Sequence, residues 1–334
     1  MERMLGLNRT EGGLKALVDR ELQEVGLVFG RQLASDLSAV NRLCSHVERY
    51  RGKMLRPTLV IVSGLAAGGD PCDGRALNEH HHMLGAVAEM IHMATLVHDD
   101  VLDEAEVRRG GVTVNHLWGN ESAVILGDYL ISNAFHLCST MMRPEINLAL
   151  GNVTNTLCEG ELVQLHHRHD MGIDEEAYLE IIRRKTASLI GECCRLGALL
   201  TGADARVQEA MKEYGVNVGV AFQIQDDLLD LVGDQRVVGK SLGRDLAKGK
   251  MTLPMILALA DAGADGRGEI LRLMSENNLD GLRAELQGSG HVNRAMQRAA
   301  EFVETAKGHL CQLPQSEARE TLHAMADRVI SREF

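Results

Sequence analysis

Two short runs of aspartate carry the most chemistry in this 334-residue chain. In HDDVLDEAEVRRG, Asp99, Asp100 and Asp103 precede the basic pair Arg108 and Arg109. On a helix, positions i and i+4 share a face, so Asp99 and Asp103 project together with Asp100 beside them. Such a cluster repels itself unless a cation answers it. Mg2+ suits hard carboxylate oxygens and commonly keeps phosphate oxygens as further ligands, while arginine forks match phosphate geometry. One acidic run on a helix is ordinarily a solvated face. A second copy changes that reading: FQIQDDLLD repeats the spacing with Asp226, Asp227 and Asp230, again after an apolar helical stretch. Two triplets facing one another across a cavity would hold metal ions between them.

Helices must position these residues. Aromatics make up 3% of the chain and prolines number five, and strand-like alternation is nearly absent. Helical spacing of apolar residues predicts helices near 12–36, 39–48, 56–68, 79–104, 119–140, 145–169, 175–200, 204–232, 254–262, 291–309 and 315–332. Breaks fall at 68–74, 108–120, 143–145, 169–174, 202–204, 232–250 and 263–268. None resembles a linker between independent domains, so residues 1–334 are expected to form one all-α domain, a bundle in which both triplets end helices at one rim. A net charge of −12 argues against nucleic acid as a partner. Seven scattered cysteines suit a reducing compartment. No signal peptide is visible, and no window reaches the ~18 apolar residues of a membrane span. A cytoplasmic location is expected.

Further basic positions can join the rim. Lys53 and Arg56 sit at a helix entrance before Pro57, where the helix dipole disfavours cations unless an anion compensates. Lys185 and Thr186 interrupt the apolar helix EIIRRKTASLIGE and are placed to reach a phosphate. The glycine-rich loop after the second triplet carries Lys240, Arg244, Asp245, Lys248 and Lys250, as a flexible cationic lid would. Six aspartates and two diphosphates bring roughly twelve negative charges; three Mg2+ and seven of these cations offset them. An open, mobile state is expected without ligands.

GKMLRP, HDDVLDEAEVRRG, GDYL, KTA, FQIQDDLLD and GKSLGRDLAKGKMTLP, in order from Gly52 to Pro254, together resemble the trans-isoprenyl diphosphate synthases, the polyprenyl synthetase family, of medium- or long-chain type. The resemblance implies an isoprenoid-synthase-type helical bundle around a deep central apolar cavity, working as a homodimer. It implies Mg2+, three ions per site, ligated by Asp99, Asp103 and Asp226, with Asp100, Asp227 and Asp230 in support. Arg108, Lys185, Lys240 and Lys250 would then hold an allylic diphosphate, and Lys53, Arg56, His92 and Arg109 isopentenyl diphosphate. Thr186 and Gln223 would line the region where positive charge develops. The implied reaction ionises the allylic C–O bond and alkylates isopentenyl diphosphate head-to-tail, building an all-trans chain that membrane enzymes could receive.

One helical turn rises about 5.4 Å, close to one isoprene unit. Below Asp99 the next turns present Thr95, Ala94, Ile91 and Ala88, none aromatic, which favours a product of roughly seven to ten units, a quinone side-chain precursor. Phe135, two turns below Asp128, is a candidate floor. Other readings are a short-chain farnesyl or geranylgeranyl diphosphate synthase, a terpene cyclase, and a non-catalytic subunit of a heteromeric synthase. Histidines 80–82, 166, 167 and 169 invite a zinc reading but lack a companion pair at ligand spacing.

Overall fold

A computed structural model describes residues 13–48, 52, 54–68, 77–233 and 242–331. Lys53 and Lys240 lie outside the described residues. In chain order the helices are α1 (Leu14–Leu33), α2 (Ser38–Val47), α3 (Leu55–Gly68), α4 (Glu79–Leu102), α5 (Val114–Thr140), α6 (Pro144–His166) and α7 (Glu175–Ile182). A π-helical turn, Arg183–Ala187, leads into α8 (Ser188–Leu200). Then come α9 (Ala205–Val232), α10 (Arg244–Ala247), α11 (Leu253–Asp261), α12 (Ala264–Ser275), α13 (Leu279–Gly288), α14 (His291–His309) and α15 (Glu317–Ile330). The strands among the described residues are β1 (Val107–Arg108) and β2 (Gly111–Val112), paired antiparallel. The all-α class expected from the spacing of apolar residues holds.

These helices pack as two compact units. One comprises Met1–Thr154, Leu189–Lys212 and His309–Met325. Its axis is α4, which packs against α1, α3 and α5. Leu84, Val87, Met90, Ile91, Met93 and Ala94 are all buried, on several sides of the helix. A helix apolar nearly all round must be enclosed by neighbours. Gly197 brings α8 so close to α3 that a Cβ there would stand 2.4 Å from the Val60 carbonyl oxygen. Asn78 caps α4: its side chain accepts from the His80 N–H, and its own N–H donates to His81 Nδ1 at 3.2 Å. The second unit comprises Asn155–Ser188, Glu213–Gly308 and Ala326–Phe334. There the short apolar α11 lies against α7, α12 and α13. Among the described residues no helix is long and apolar enough to cross a membrane.

The structure departs from the sequence reading in three places. Residues 263–290 hold α12 and α13, where the glycines of GADGRG predicted a break. Ile270, Leu273, Met274, Leu282 and Leu286 are buried there, and that packing outweighs the low helix propensity of glycine. The helix expected from 119 begins at Val114, and Gly119 at φ 83° kinks it. The π turn at 183–187 interrupts what reads as continuous helix.

Candidate active site

The first aspartate triplet lies at the C-terminal end of α4, in the first unit. Asp99 is half-buried, Asp100 is buried, and Asp103 caps the helix with its N–H on the Asp99 carbonyl at 2.8 Å. Carboxylates at a helix C-terminus oppose the macrodipole. Breaking that local rule marks a site shaped for something besides stability. Asp100 Oδ1 accepts from Arg108 Nε at 2.8 Å and pairs with Arg108 Nη2 at 2.7 Å, while its buried Oδ2 has no hydrogen-bond partner. Burial pushes the Asp100 carboxyl above its ordinary range, Arg108 pulls it back, and Asp99 and Asp103 add to the rise.

Arg108 and Arg109 reach this place on the β1–β2 hairpin. Pairing of Val107 with Val112 and Arg108 with Gly111 leaves Arg109 and Gly110 as a two-residue turn, with φ 51° and 76°. Positive φ at both positions is the signature of a type I′ turn. Asn115 and Thr113 secure its base: Asn115 Nδ2 donates to the Asp100 and Ala105 carbonyls, and Thr113 Oγ1 to the Ala105 carbonyl at 2.6 Å. Gly52 makes room for Arg109, since a Cβ there would stand 2.4 Å from its Nη1.

The cations Arg56 and Arg109 lie near His92 in the same unit. Burial holds His92 well below its ordinary range, and the charges of Arg56, Arg109 and Arg108 lower it further. It is therefore a neutral imidazole at physiological pH. Burial also lowers Arg56 and Arg109, against the opposing pull of Glu89. Arg56 Nε is buried without an acceptor. A buried guanidinium with an orphaned donor fits an anionic group such as a diphosphate. Glu89, 3% exposed and one turn before His92, is the counter-charge that the sequence reading missed. Its i−3 relation to His92 was the available signal.

The second triplet ends α9, in the second unit. Asp227 is buried; its Oδ2 accepts from the Tyr178 hydroxyl at 2.6 Å and its Oδ1 from Gln223 Nε2 at 2.8 Å. Gln223 Oε1 in turn accepts from Thr186 Oγ1 at 2.8 Å. Burial, then Asp245, pushes the Asp227 carboxyl well above its ordinary range, against its two donors. Asp226 is half-buried on the same helix. The Asp230 carbonyl accepts from the Gly243 N–H at 2.9 Å, and its Oδ2 from the Asp245 N–H at 3.0 Å. The described part of the expected lid is thus bonded turn structure rather than free loop. The His169 N–H donates to the Gly249 carbonyl at 2.9 Å, and the Lys250 N–H to the Asp245 carbonyl at 2.9 Å. Lys185 and Thr186 lie in the π turn, and Lys185 is ion-paired with Glu161. Gly160 lets that turn approach α6; a Cβ there would stand 2.8 Å from the Lys185 backbone nitrogen. Extra turns of this kind cluster at functional sites.

Each unit therefore gathers its own share of the predicted residues: Arg56, His92, Asp99, Asp100, Asp103, Arg108 and Arg109 in one, and Lys185, Thr186, Gln223, Asp226, Asp227, Asp230 and Lys250 in the other. Ala94 is buried on α4, Thr95 donates to the His92 carbonyl at 2.8 Å, and Phe135 is half-buried on α5. Among the described residues no three His, Cys, Asp or Glu side chains already converge as a metal cage. In each unit by itself, Asp99 and Asp103 in one and Asp226 in the other, the carboxylates offer the hard oxygens that Mg2+ prefers alongside phosphate and water. The side chains of three of the histidines noted in the sequence have partners of their own. His81 meets the Gly197 carbonyl at 3.2 Å, His82 pairs with Glu21 at 2.6 Å, and His167 with Asp170 at 2.8 Å.

A helical fold broken by a short hairpin, with duplicate aspartate triplets and attendant cations, fits a class of enzyme that handles diphosphates. The polyprenyl synthetase family matches residues 38–285, and the chain belongs to it. It is 34% identical to a short chain isoprenyl diphosphate synthase of Methanothermobacter thermautotrophicus, over 91% of this chain and 94% of that one. It is 31% identical to the octaprenyl diphosphate synthase of Escherichia coli, over 96% and 98%. A polyprenyl synthase of Caulobacter crescentus, solved with calcium and isoprenyl diphosphate, superposes with a TM-score of 0.88 at 33% identity, covering 98% of this chain and all of that one. The protein is a prenyltransferase.

Proposed function

We propose that this prenyltransferase condenses isopentenyl diphosphate onto an allylic diphosphate in a Mg2+-dependent reaction. The observation that carries the reading is the pairing of a carboxylate triplet with phosphate-suited donors: buried Asp100 with Arg108, and, in the same unit, the Arg56 Nε donor without an acceptor. Asp99, Asp103 and Asp226 would hold the Mg2+, which when bound neutralises the diphosphate leaving group. Arg108, Lys185, Lys240 and Lys250 hold the allylic diphosphate, and Lys53, Arg56, Arg109 and neutral His92 the isopentenyl diphosphate. Lys185 exchanges Glu161 for substrate. Apolar residues around Ala94 keep water from the carbocation.

We further propose an all-trans product of medium to long chain. Ala94 and Thr95 place no ring below Asp99, and the curated relatives span short-chain and octaprenyl synthases. A homodimer is supported by the exposed apolar residues of α5: Leu117, Val124 and Ile125, the last 66% exposed. The free thiols of Cys44, Cys138, Cys158, Cys193, Cys194 and Cys311 support a cytoplasmic location, from which product passes to membrane enzymes.

The test is incubation of the purified chain alone with Mg2+, labelled isopentenyl diphosphate and farnesyl diphosphate, followed by sizing of the released alcohols. Polyprenols of seven to ten units are expected, and Thr95→Phe should shorten them by roughly a unit or more. No labelled prenol from the chain alone would leave it a partner subunit of a heteromeric enzyme.

A further inference from the structure

Tyr178 lies on α7, 3% exposed, with no role in the reading above. Its hydroxyl meets Asp227 Oδ2 at 2.6 Å, and Gln223 Nε2 meets Oδ1 at 2.8 Å. As placed, the Tyr178 hydroxyl donates to Oδ2 and the Gln223 amide nitrogen to Oδ1. That placement sets the Gln223 side chain with its NH2 toward Asp227 and its Oε1 toward Thr186. Thr186 must then be the donor in its 2.8 Å contact with Oε1. A threonine hydroxyl has one proton. With that proton committed to Gln223, Thr186 offers its other neighbours lone pairs alone. Lone pairs directed at a developing allylic cation stabilise it electrostatically, where an outward hydroxyl proton would oppose it. Were the amide reversed, Thr186 would accept from Gln223 and point its proton outward, toward the cation.

Tyr178 secures the first link of this chain. Gln223 sits one turn before Asp227 on the same face of α9, so its side chain meets Asp227 along the helix. The phenol comes from another helix and pins Oδ2, which leaves Oδ1 facing Gln223. We propose that Tyr178 is a positioning residue for the ionisation step, acting through Asp227 to fix the Gln223 amide and the direction of the Thr186 hydroxyl. This rests on the prenyltransferase reading.

Two measurements test it. In steady-state assays of the whole chain with Mg2+, Tyr178→Phe is expected to lower kcat about 10-fold with KM for both substrates unchanged. In a Gln223→Ala background the same change should add less than about 2-fold, because both act on one chain of contacts. In the metal-free chain, the NMR side-chain amide signal of Gln223, assigned by its loss in Gln223→Ala, should move in Tyr178→Phe. Should Tyr178→Phe fail to fold, 3-fluorotyrosine at 178 keeps the ring and strengthens the donor; the amide signal should still shift. Unmoved amide signals, multiplicative losses in the double variant, or a rise in KM at constant kcat would overturn the inference. A wild-type chain that makes no prenyl product, with the amide signal still coupled to Tyr178, would instead sink the prenyltransferase reading and the catalytic role with it.

Discussion

Glu89 shows how one residue can hold a site together before its ligand arrives. It is 3% exposed and raises Arg56 and Arg109, both of which burial lowers. Replacing it with glutamine keeps the shape and removes the charge, leaving guanidinium groups partly buried with less compensation. Breaking such an arrangement costs about 3 kcal/mol. A bound anion supplies the missing charge, so diphosphate should rescue Glu89→Gln more than it stabilises the wild type. Thermal melts with and without inorganic diphosphate check this: the variant should melt lower alone and gain the larger increment. Equal increments would place Glu89 outside the anion site. The aspartates were legible in the sequence because their duplication is rare. Glu89 was not, since its three-residue spacing from His92 gains meaning only from the arginines that tertiary packing brings to it.

At the scale of elements, the β1–β2 hairpin sets function against stability. Arg109 occupies φ 51°, where a side chain other than Gly, Asn or Asp costs about 1 kcal/mol. Arg109→Asn should therefore stabilise the chain by up to about 1 kcal/mol in urea unfolding, while raising KM for isopentenyl diphosphate about 10-fold. A variant that is less stable would show that the turn is not strained. The hairpin was invisible in the sequence because arginine is a poor signal for such a turn. Likewise α12 and α13 were hidden by Gly266, Gly268 and Gly281, whose cost is met by a few buried leucines. The long helices with sustained apolar spacing, α4 and α9 above all, were plain. The N-terminal cap of α4 has its own consequence. His81 ionises near 6.5 when exposed, but burial holds it down to about 4 in the fold. Between those values the unfolded chain binds more protons, so this contribution is full above pH 6.5 and is lost as pH falls, by about 3 kcal/mol at pH 4. Urea midpoints for His81→Gln should fall less steeply over that interval than those of the wild type; parallel curves would exclude His81 as the cause.

For the whole molecule, α5 carries exposed apolar side chains and also backs onto the helix that bears the first triplet. Leu117, Val124 and Ile125 stand 47%, 40% and 66% exposed along it. Apolar side chains grouped in this way mark an interaction surface. The same helix backs onto the end of α4. Gly127 gives His98 so little clearance that a Cβ there would lie 2.1 Å from its Nε2, and His98 Nε2 also stands 3.1 Å from the Val124 carbonyl. His98 directly precedes Asp99. Contacts that fix α5 therefore also fix the end of α4 from which the first triplet projects. Ile125→Asp changes a residue that is exposed in the single chain, so it should cost the isolated subunit within about 0.5 kcal/mol. In a dimer closed across α5 it would bury two charges against an apolar face and drive the subunits apart. Sedimentation equilibrium should then show a monomer for Ile125→Asp and a dimer for the wild type. The monomer should retain its fold by circular dichroism but turn over more slowly, as the helix supporting His98 and Asp99 loses its partner. A variant that sediments as the wild type does would remove α5 from the interface, and a fully active monomer would separate assembly from catalysis.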